Sequence, residues 1–387
     1  MRRRLFEDEH ELFRDSVRAF FNKEVAPHHE QWERDGIVPR SLFEAAGDLG
    51  ILGMAIPTEY GGGGVADFRY NVVVAEEIQR AGVNAAGLGL TVHSDIIVPY
   101  FLRYSTDAQR ARWLPGLASG ALISAIAMTE PGIGSDLAGM ATTAVLDGDH
   151  YVVNGSKTFI TNGINADVVV TAVKTDPNLR HRGMSLLVVE RGMDGFERGR
   201  NLDKVGMHAQ DTSELFFTDV EVPAKNVVGA VNDGWRITMG SLAHERGGLW
   251  VQGVAMLDHL FRGLVAIARH TGKDRDPVTR RKLAAAYEMV SSLRSLGYKG
   301  FGTLQHTSSS PEHSYLKLAT SEMGKALFEF GLELEGSAGV VLDKAFVPDA
   351  GRWVHGLFAS FANTIAGGTS EIQRNIIAER VLGLPRG

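Results

Sequence analysis

The segment 365–374, which reads IAGGTSEIQR, places residues that can do chemistry between small ones. Gly367 and Gly368 allow a backbone to come close to a ligand, because glycine carries no side chain. Thr369 and Glu371 then offer a hydroxyl group and a carboxylate. The segment therefore suits contact with a bound molecule, and its residue types alone do not distinguish a catalytic carboxylate from a cofactor contact.

A second segment of this kind spans residues 127–140, AMTEPGIGSDLAGM. One proline and two glycines within it predict a loop that follows a strand. The hydroxyl groups of Thr129 and Ser135, together with glycine-flanked backbone N–H groups, suit a phosphate or the polar edge of a ring. Taken alone, the same pattern is also typical of an ordinary turn.

The common catalytic templates are missing from the sequence. It contains neither a GxxxxGK[ST] phosphate loop nor a strand followed by GxGxxG, so a Rossmann dinucleotide site is not indicated. The HERGG run at 244–248 begins like a zinc-binding HExxH helix, but Gly248 stands where the second histidine is needed. With no cysteine there is also no thiolate nucleophile, and no metal site is predicted.

Composition and charge favour a globular enzyme. The chain has 387 residues, of which 44% are hydrophobic and 22% charged, and this length predicts two or three domains. Its net charge of −6 makes nucleic acid an unexpected partner. No apolar leader and no apolar run of about 18 residues was found, so we expect no membrane association and a cytoplasmic location.

The hydrophobic pattern predicts helices, then strands, then helices. The first apolar residues recur at helical spacing, and Pro27 ends that run. From about residue 121 to Pro223, β-rich runs are broken by Asp-Gly and Asn-Gly pairs, which are typical of hairpin turns. Long helical patterns return from Gly234.

Two prolines in the last part predict further helix starts. Pro277 and Pro311 each follow a polar loop, and proline is favoured in the first turn of a helix. The whole order predicts three domains, which are an N-terminal helical domain at 1–121, a central β domain at 122–231 and a C-terminal helical bundle at 232–387.

Four stretches together carry a family resemblance. TEPGIGSD, NGSKTFITNG, AQDTSELFFTDVEVP and GGTSEIQRNIIAERVLG occur in this order. The chain resembles the acyl-CoA dehydrogenase family of flavoproteins over nearly its whole length, and its middle segment resembles the long-chain and isovaleryl branch. The resemblance implies an N-terminal helical domain, a central β-barrel-like domain and a C-terminal four-helix bundle, in agreement with the order read from the hydrophobic pattern.

The family's reaction would follow from this resemblance. It implies bound FAD and an acyl-CoA substrate, whose α-proton goes to a base while its β-hydrogen leaves as hydride to flavin N5, giving a trans-2-enoyl-CoA. It also implies an electron-transferring flavoprotein as electron acceptor. The cofactor contacts carried over from the family are Met128, Thr129, Ser135, Phe159, Thr161, Thr369 and Glu371. Phe159 stands where many members have tryptophan, and it can still pack on the flavin ring.

The position of the catalytic base separates the branches of the family. Medium- and short-chain members carry a glutamate just before Gly-Thr, at the position of Gly367 here, and glycine cannot take a proton. The long-chain and isovaleryl branch takes its base from another helix, as Glu-Arg, which Glu245 and Arg246 match. Burial in an apolar helix would raise the pKa of Glu245 toward the working pH. A structural ion pair is the alternative for Glu245.

The predicted substrate contacts are Ser135, Arg246, Gly367 and Gly368. Removal of side-chain bulk at Gly367 and at the glycines after Arg246 allows a long, branched or polycyclic acyl chain without choosing among them.

Two stretches depart from the family pattern. The R-x-x-F-G stretch that reaches a neighbouring subunit's FAD pyrophosphate is replaced by RHTGKDRDP, in which Arg269 is the first candidate for that contact and Arg275 the second. The later GGxG loop reads EGSAG at 335–339, and Glu335 near a phosphate is electrostatically unfavourable. We therefore expect a homotetramer with a modified FAD site, or a mixed tetramer with a sister subunit.

Two rival interpretations remain open at this point. The chain could be a catalytically altered or non-catalytic subunit of a mixed tetramer, which Gly367 and the altered arginine stretch favour and Glu245 opposes. It could also be a flavoprotein of this fold that binds DNA, which the net negative charge disfavours.

Overall fold

A computed structural model of the chain describes the backbone of residues 5–304, 311–343 and 351–385, and the side chains of all of these except 242–252, 298–304 and 311–312. The chain divides into two compact units, Met1–Ser241 and Leu242–Gly387. The first unit joins the predicted N-terminal and central parts, and the three-domain division stays a prediction.

Seven α-helices form the first half of the first unit. They are α1 (Asp8–Phe20), α2 (His29–Asp35), α3 (Ser41–Asp48), α4 (Arg69–Ala81), α5 (Asn84–Thr91), α6 (Val98–Tyr104) and α7 (Asp107–Ser119). A π-helical turn, Phe21–Val25, extends α1, and a second one, Val92–Ile97, joins α5 to α6. At the start of α7 the Thr106 hydroxyl accepts from Gln109 N at 3.3 Å and Thr106 N donates to Gln109 Oε1 at 2.8 Å, which satisfies two helix-end groups.

One helical stretch of the described residues, Asn84–Tyr104, is long and apolar enough to meet the length and composition of a membrane span. Within the protein 67% of its most apolar window is buried. Its residues Leu90, Ile97 and Phe101 are fully buried, as in a helix of a protein core.

A curled seven-stranded sheet forms the second half of the first unit. Its strands are β1 (Ser124–Ala127), β2 (Thr143–Asp147), β3 (His150–Thr161), β4 (Val168–Lys174), β5 (Met184–Glu190), β6 (Phe196–Asn201) and β7 (Thr212–Pro223). The order across the sheet is β1-β4-β2-β3-β7-β6, with β5 also paired to β4. The end of β7 at Pro223 confirms where the β pattern was predicted to stop.

The Asp-Gly and Asn-Gly pairs that predicted hairpins in this region lie in different local structures. Asp147 pairs with His150 across the predicted tight turn at Gly148, so the Asp-Gly signal is confirmed. The hairpin predicted at Asn154-Gly155 is wrong, because the pair lies inside β3 at a register shift against β7. Gly155 has φ +146°, and a Cβ there would meet Thr142 at 2.6 Å, so the backbone requires glycine at this bulge.

The second unit is helical. Its helices are α8 (Gly234–His270, which begins in the first unit), α9 (Pro277–Leu304), α10 (Pro311–Glu335), α11 (Arg352–Asn363) and α12 (Ser370–Ile376). The predicted starts at Gly234, Pro277 and Pro311 are confirmed. α10 and α11 pack closely, since Gly331 leaves room for the fully buried ring of Trp353.

Candidate functional site

Strands β1 and β3 bring two of the sequence stretches together. Thr158 N donates to Thr129 O at 2.9 Å, so the loop after β1 is bonded to the backbone of β3. The Lys157 ammonium reaches the same loop and donates to Met128 O at 3.2 Å. The predicted cofactor contacts Met128 and Thr129 therefore lie beside the stretch that carries Phe159 and Thr161.

A buried ion pair holds this loop in place. Lys157 is 0% exposed and Glu130 6% exposed, and Lys157 Nζ lies 2.8 Å from Glu130 Oε1. The Glu130 carboxylate also accepts from Ala141 N at 2.6 Å and Thr142 N at 3.0 Å. It thereby joins the start of the loop to its end. Burial raises the pKa of Glu130, but the Lys157 charge and the backbone N–H groups outweigh burial and hold it below its usual value.

Sequence reasoning missed the roles of Glu130 and Lys157. Both residues lie in the stretches that carry the family resemblance, and this was the one signal in the sequence that could have pointed to them. Their pairing depends on how the loop after β1 packs against β3, which is not a neighbour of β1 in the sheet, and single residues do not reveal that packing.

Phe159 presents its ring outward. A register shift between Lys157 and Ile160 interrupts the pairing of β3 with β7, and Phe159 has φ +60° at this point. Its side chain is 67% exposed, which is unusual for phenylalanine. A non-glycine residue in the left-handed region with an exposed aromatic ring points to a binding role.

Thr129 and Thr161 supply polar groups next to the stretch that carries this ring, and Ser135 supplies one on the loop after β1. Within the described part of the chain, none of the three hydroxyl groups makes a hydrogen bond to another residue. Ser135 is exposed on the loop that Glu130 closes. An added Cβ at Gly132 or Gly134 of that loop would meet no protein atom, so crowding within the protein does not explain these glycines.

These residues fit the flavin of FAD. A flavin ring has an apolar face and a polar edge, and the exposed Phe159 ring beside free threonine hydroxyl groups offers matching surfaces. The exposed, glycine-containing loop 131–136 adds backbone N–H groups with open space around them.

In the second unit, Gly367 and Gly368 form a half-buried turn. Their φ angles are +66° and +88°, which other residues rarely adopt. Gln373 Nε2 donates to Gly367 O at 3.1 Å and to Gly368 O at 3.2 Å. The Thr369 hydroxyl accepts from Ile372 N at 3.3 Å and caps α12. Gln373, which sequence reasoning missed, thus fixes the turn predicted to leave room for substrate.

Glu371 is an exposed carboxylate on this helix. Its own backbone N–H, the Thr369 hydroxyl and Arg374 lower its pKa, although weak burial opposes them. Because these groups favour the ionised form, Glu371 is suited to accept hydrogen bonds and is a weak proton acceptor.

The structure reveals less about the remaining predicted site residues. Arg269 lies exposed in the last turn of α8, and Arg275 is exposed after it; neither side chain forms an ion pair within the described residues. Glu335 is half-buried at the end of α10. Glu245 and Arg246 fall within α8, but their side chains lie outside the described residues, as do those of residues 247 and 248.

Comparison with known proteins identifies the family. Models of the acyl-CoA dehydrogenase N-terminal, middle and C-terminal domains match residues 7–121, 125–220 and 232–382. The chain belongs to the acyl-CoA dehydrogenase family, whose members are FAD-dependent flavoproteins. The predicted family, fold class and cofactor are therefore confirmed.

Individual relatives agree with this assignment. Long-chain specific acyl-CoA dehydrogenase of Sus scrofa is 47% identical over 246 residues, which are 63% of this chain and 56% of that protein. Isovaleryl-CoA dehydrogenase of Pongo abelii is 39% identical over 260 residues, 65% of this chain and 61% of that protein. The matches therefore span less than two thirds of either relative. The crystal structure of an acyl-CoA dehydrogenase from Geobacillus kaustophilus is 37% identical, with 98% of this chain and 99% of that chain covered and a TM-score of 0.88.

Proposed function

We propose that this chain is an FAD-dependent acyl-CoA dehydrogenase that converts an acyl-CoA thioester to a trans-2-enoyl-CoA. The observation that carries the proposal is the surface formed by Phe159, Thr129 and Thr161, which the Glu130–Lys157 pair holds together. FAD, when bound, supplies the acceptor for the β-hydrogen.

In this proposal the protein's own residues bind the cofactor and move one proton. Phe159 packs on the apolar ring, and Met128, Thr129, Ser135 and Thr161 contact its polar edge. Thr369, Glu371 and Arg269 are the further proposed cofactor contacts. The turn at Gly367 and Gly368 admits the thioester, and Ser135 and Arg246 contact it.

Glu245 is the proposed base that takes the α-proton on its carboxylate. Two observations support this choice. The turn 364–369 contains no acidic residue, so no carboxylate stands at the position where medium- and short-chain members carry their catalytic glutamate. The next carboxylate, Glu371, has a lowered pKa and is therefore a poor proton acceptor.

Membership of the family supports an acyl-CoA substrate. We propose a fatty acyl-CoA as substrate, a place in β-oxidation, and an electron-transferring flavoprotein as electron acceptor. A cytoplasmic location and a tetramer, made of one or two kinds of chain, complete the proposal. The charge of −6 opposes nucleic acid as a ligand.

Anaerobic titration of the purified protein with a panel of acyl-CoAs tests the reaction. The wild-type flavin should lose its visible absorbance with at least one thioester, and Glu245→Gln should bind the same thioester without bleaching. The best substrate then narrows the acyl class. Bound flavin that no thioester bleaches would contradict the dehydrogenase proposal, while equal bleaching of both proteins would contradict only the role of Glu245.

The second candidate is a non-catalytic subunit of a mixed tetramer. Glu335 favours it, because a half-buried carboxylate beside Gly339 stands where the family places a glycine near the cofactor's phosphate. Purification of the chain without flavin, together with flavin uptake on addition of a sister subunit, would support this candidate.

A further inference from the structure

The ammonium of Lys157 has two acceptors that differ in kind. One is the Glu130 carboxylate, 2.8 Å away, and the other is Met128 O, 3.2 Å away. Lys157 is fully buried, so neither contact is weakened by water. Burial lowers the pKa of Lys157, and the adjacent Glu130 charge opposes that change. The 2.8 Å contact with a carboxylate whose own pKa is lowered favours the ammonium form of Lys157.

The peptide unit that contains Met128 O also contains the N–H of Thr129. A cation bonded to the oxygen of an amide polarises the whole unit and makes its N–H a stronger donor. The Thr129 N–H has no acceptor in the described part of the chain, whereas Thr129 O is bonded to Thr158 N. The polarised donor is therefore both fixed in place and available to a bound molecule.

We propose that Lys157 acts through the Met128–Thr129 peptide to strengthen a hydrogen bond to the bound flavin, and so raises the flavin's reduction potential. The inference rests on the proposed function, in which Thr129 contacts FAD. A donor stabilises the electron-rich reduced ring more than the oxidised ring, which is how a protein tunes flavin electronics. Lys157 is thus a positioning residue, because it acts through another group.

Variants at Glu130 can distinguish an effect of the Lys157 charge on the flavin from an effect of disturbed local structure. Its carboxylate offsets the lysine charge but does not touch Met128 O. In Glu130→Gln the cation on Met128 O is no longer offset, and in Lys157→Met/Glu130→Gln the pair is neutral and the cation is gone. Glu130→Gln keeps an amide oxygen as acceptor for the Lys157 ammonium, whereas Lys157→Met alone would leave the buried Glu130 carboxylate with no cation and is avoided.

The experiment is an anaerobic redox titration of the bound FAD against reference dyes, near pH 6, because a low pH favours the protonated form of Lys157. Lys174 interacts with Glu130, and Arg180 and Asp136 in turn interact with Lys174; all three are unchanged in every variant. Relative to wild type, the potential should rise in Glu130→Gln and fall in the double variant. A tenfold change in the ratio of affinities for reduced and oxidised FAD corresponds to roughly 30 mV.

A purely structural role predicts a different result. Both variants would then bind FAD more weakly and unfold more easily, with potentials that are unchanged or shifted in the same direction. Either pattern would overturn the inference while leaving the dehydrogenase proposal intact.

Two further readouts keep the test decisive. The FAD dissociation constant and the urea midpoint of the apoprotein are recorded for each variant. If the double variant does not fold, an unchanged or lowered potential in Glu130→Gln alone still overturns the inference. A wild-type chain that binds no FAD would overturn the proposed function and this inference together.

Discussion

At the scale of the residue, Phe159 combines an unusual backbone with an unusual exposure. Its φ of +60° and 67% exposed ring contribute little packing to the fold. Loss of the Phe159 side chain should therefore affect ligand binding and leave the stability of the fold nearly unchanged.

Phe159→Ala should weaken FAD binding by about 2- to 10-fold, because an aromatic contact is worth roughly 0.5–1.5 kcal/mol. The free energy of unfolding of the apoprotein should change by less than about 0.5 kcal/mol, since the ring is exposed. Fluorescence titration of the apoprotein with FAD measures the first and urea unfolding the second. Phe216→Ala, at an exposed position of the same sheet, is the control and should leave FAD binding unchanged. Equal effects of the two variants would contradict the assignment.

Asp95 shows how one half-buried carboxyl group couples stability to pH. It lies in the π-helical turn between α5 and α6, where the Ser94 hydroxyl at 2.5 Å and Asn71 Nδ2 at 2.8 Å both bond its Oδ1. Burial raises the pKa of Asp95 from 3.8 to about 6, and these hydrogen bonds offset only part of that rise. The folded state therefore holds this proton between about pH 4 and pH 6, and Asp95 stabilises the fold less as the pH rises through that window.

Asp95→Asn should stabilise the protein more at about pH 7.5 than at about pH 5, by roughly 1 kcal/mol. The asparagine oxygen can keep both hydrogen bonds, so only the charge is removed. Urea unfolding of both proteins at the two pH values measures the difference. The same change in free energy at both pH values would show that shape, and not titration, is responsible.

At the scale of the element, the packing of α10 on α11 depends on where glycines fall. A Cβ at Gly331 would lie 2.0 Å from the Trp353 ring, which is fully buried and cannot move aside. A Cβ at Gly324, in the same helix, would lie 2.8 Å from the terminal methyl group of Met256, which is flexible. The two glycines share a helix and differ in what they touch.

Gly331→Ala should lower the free energy of unfolding by about 1–3 kcal/mol, as overpacking does. Gly324→Ala should be neutral or stabilising by up to about 1 kcal/mol, because alanine favours the helix and Met256 can adjust. Denaturant unfolding of the two variants is the measurement. A loss of stability in both would contradict the difference in packing.

At the scale of the whole molecule, the exposed Arg269 and the half-buried Glu335 bear on assembly. Both lie in the second unit, in the two stretches that depart from the family pattern. A chain of 41.9 kDa with these substitutions is proposed to pair with a sister subunit or to hold FAD differently.

If a sister subunit is needed, the chain expressed alone should carry less than one FAD per chain. Light scattering should then show a mass other than four times 41.9 kDa. Flavin absorbance per chain and mass in solution are the two measurements. A homotetramer with one FAD per chain would contradict the mixed-tetramer version and leave the modified homotetramer.

The sequence by itself determined the features that depend on neighbouring residues. Apolar spacing predicts the helices before residue 121 and after Gly234. Pro223 correctly marks the end of a strand, and Pro277 and Pro311 correctly mark the starts of helices. The family resemblance was also available from four short stretches, because they keep their order and residue types. These signals are local, and the physical rules for helix starts and tight turns act within a few residues.

Only the tertiary structure decided the features that depend on register. Lys157 and Glu130 are 27 positions apart, and they meet because the loop after β1 is bonded to β3 through Thr158 N and Thr129 O. Two register shifts between β3 and β7 place Asn154-Gly155 in a bulge and leave the Phe159 ring exposed. A shift of one residue reverses which side chains face the core, so pairing across a sheet is fixed by the packing of the whole unit and cannot be read from nearby residues.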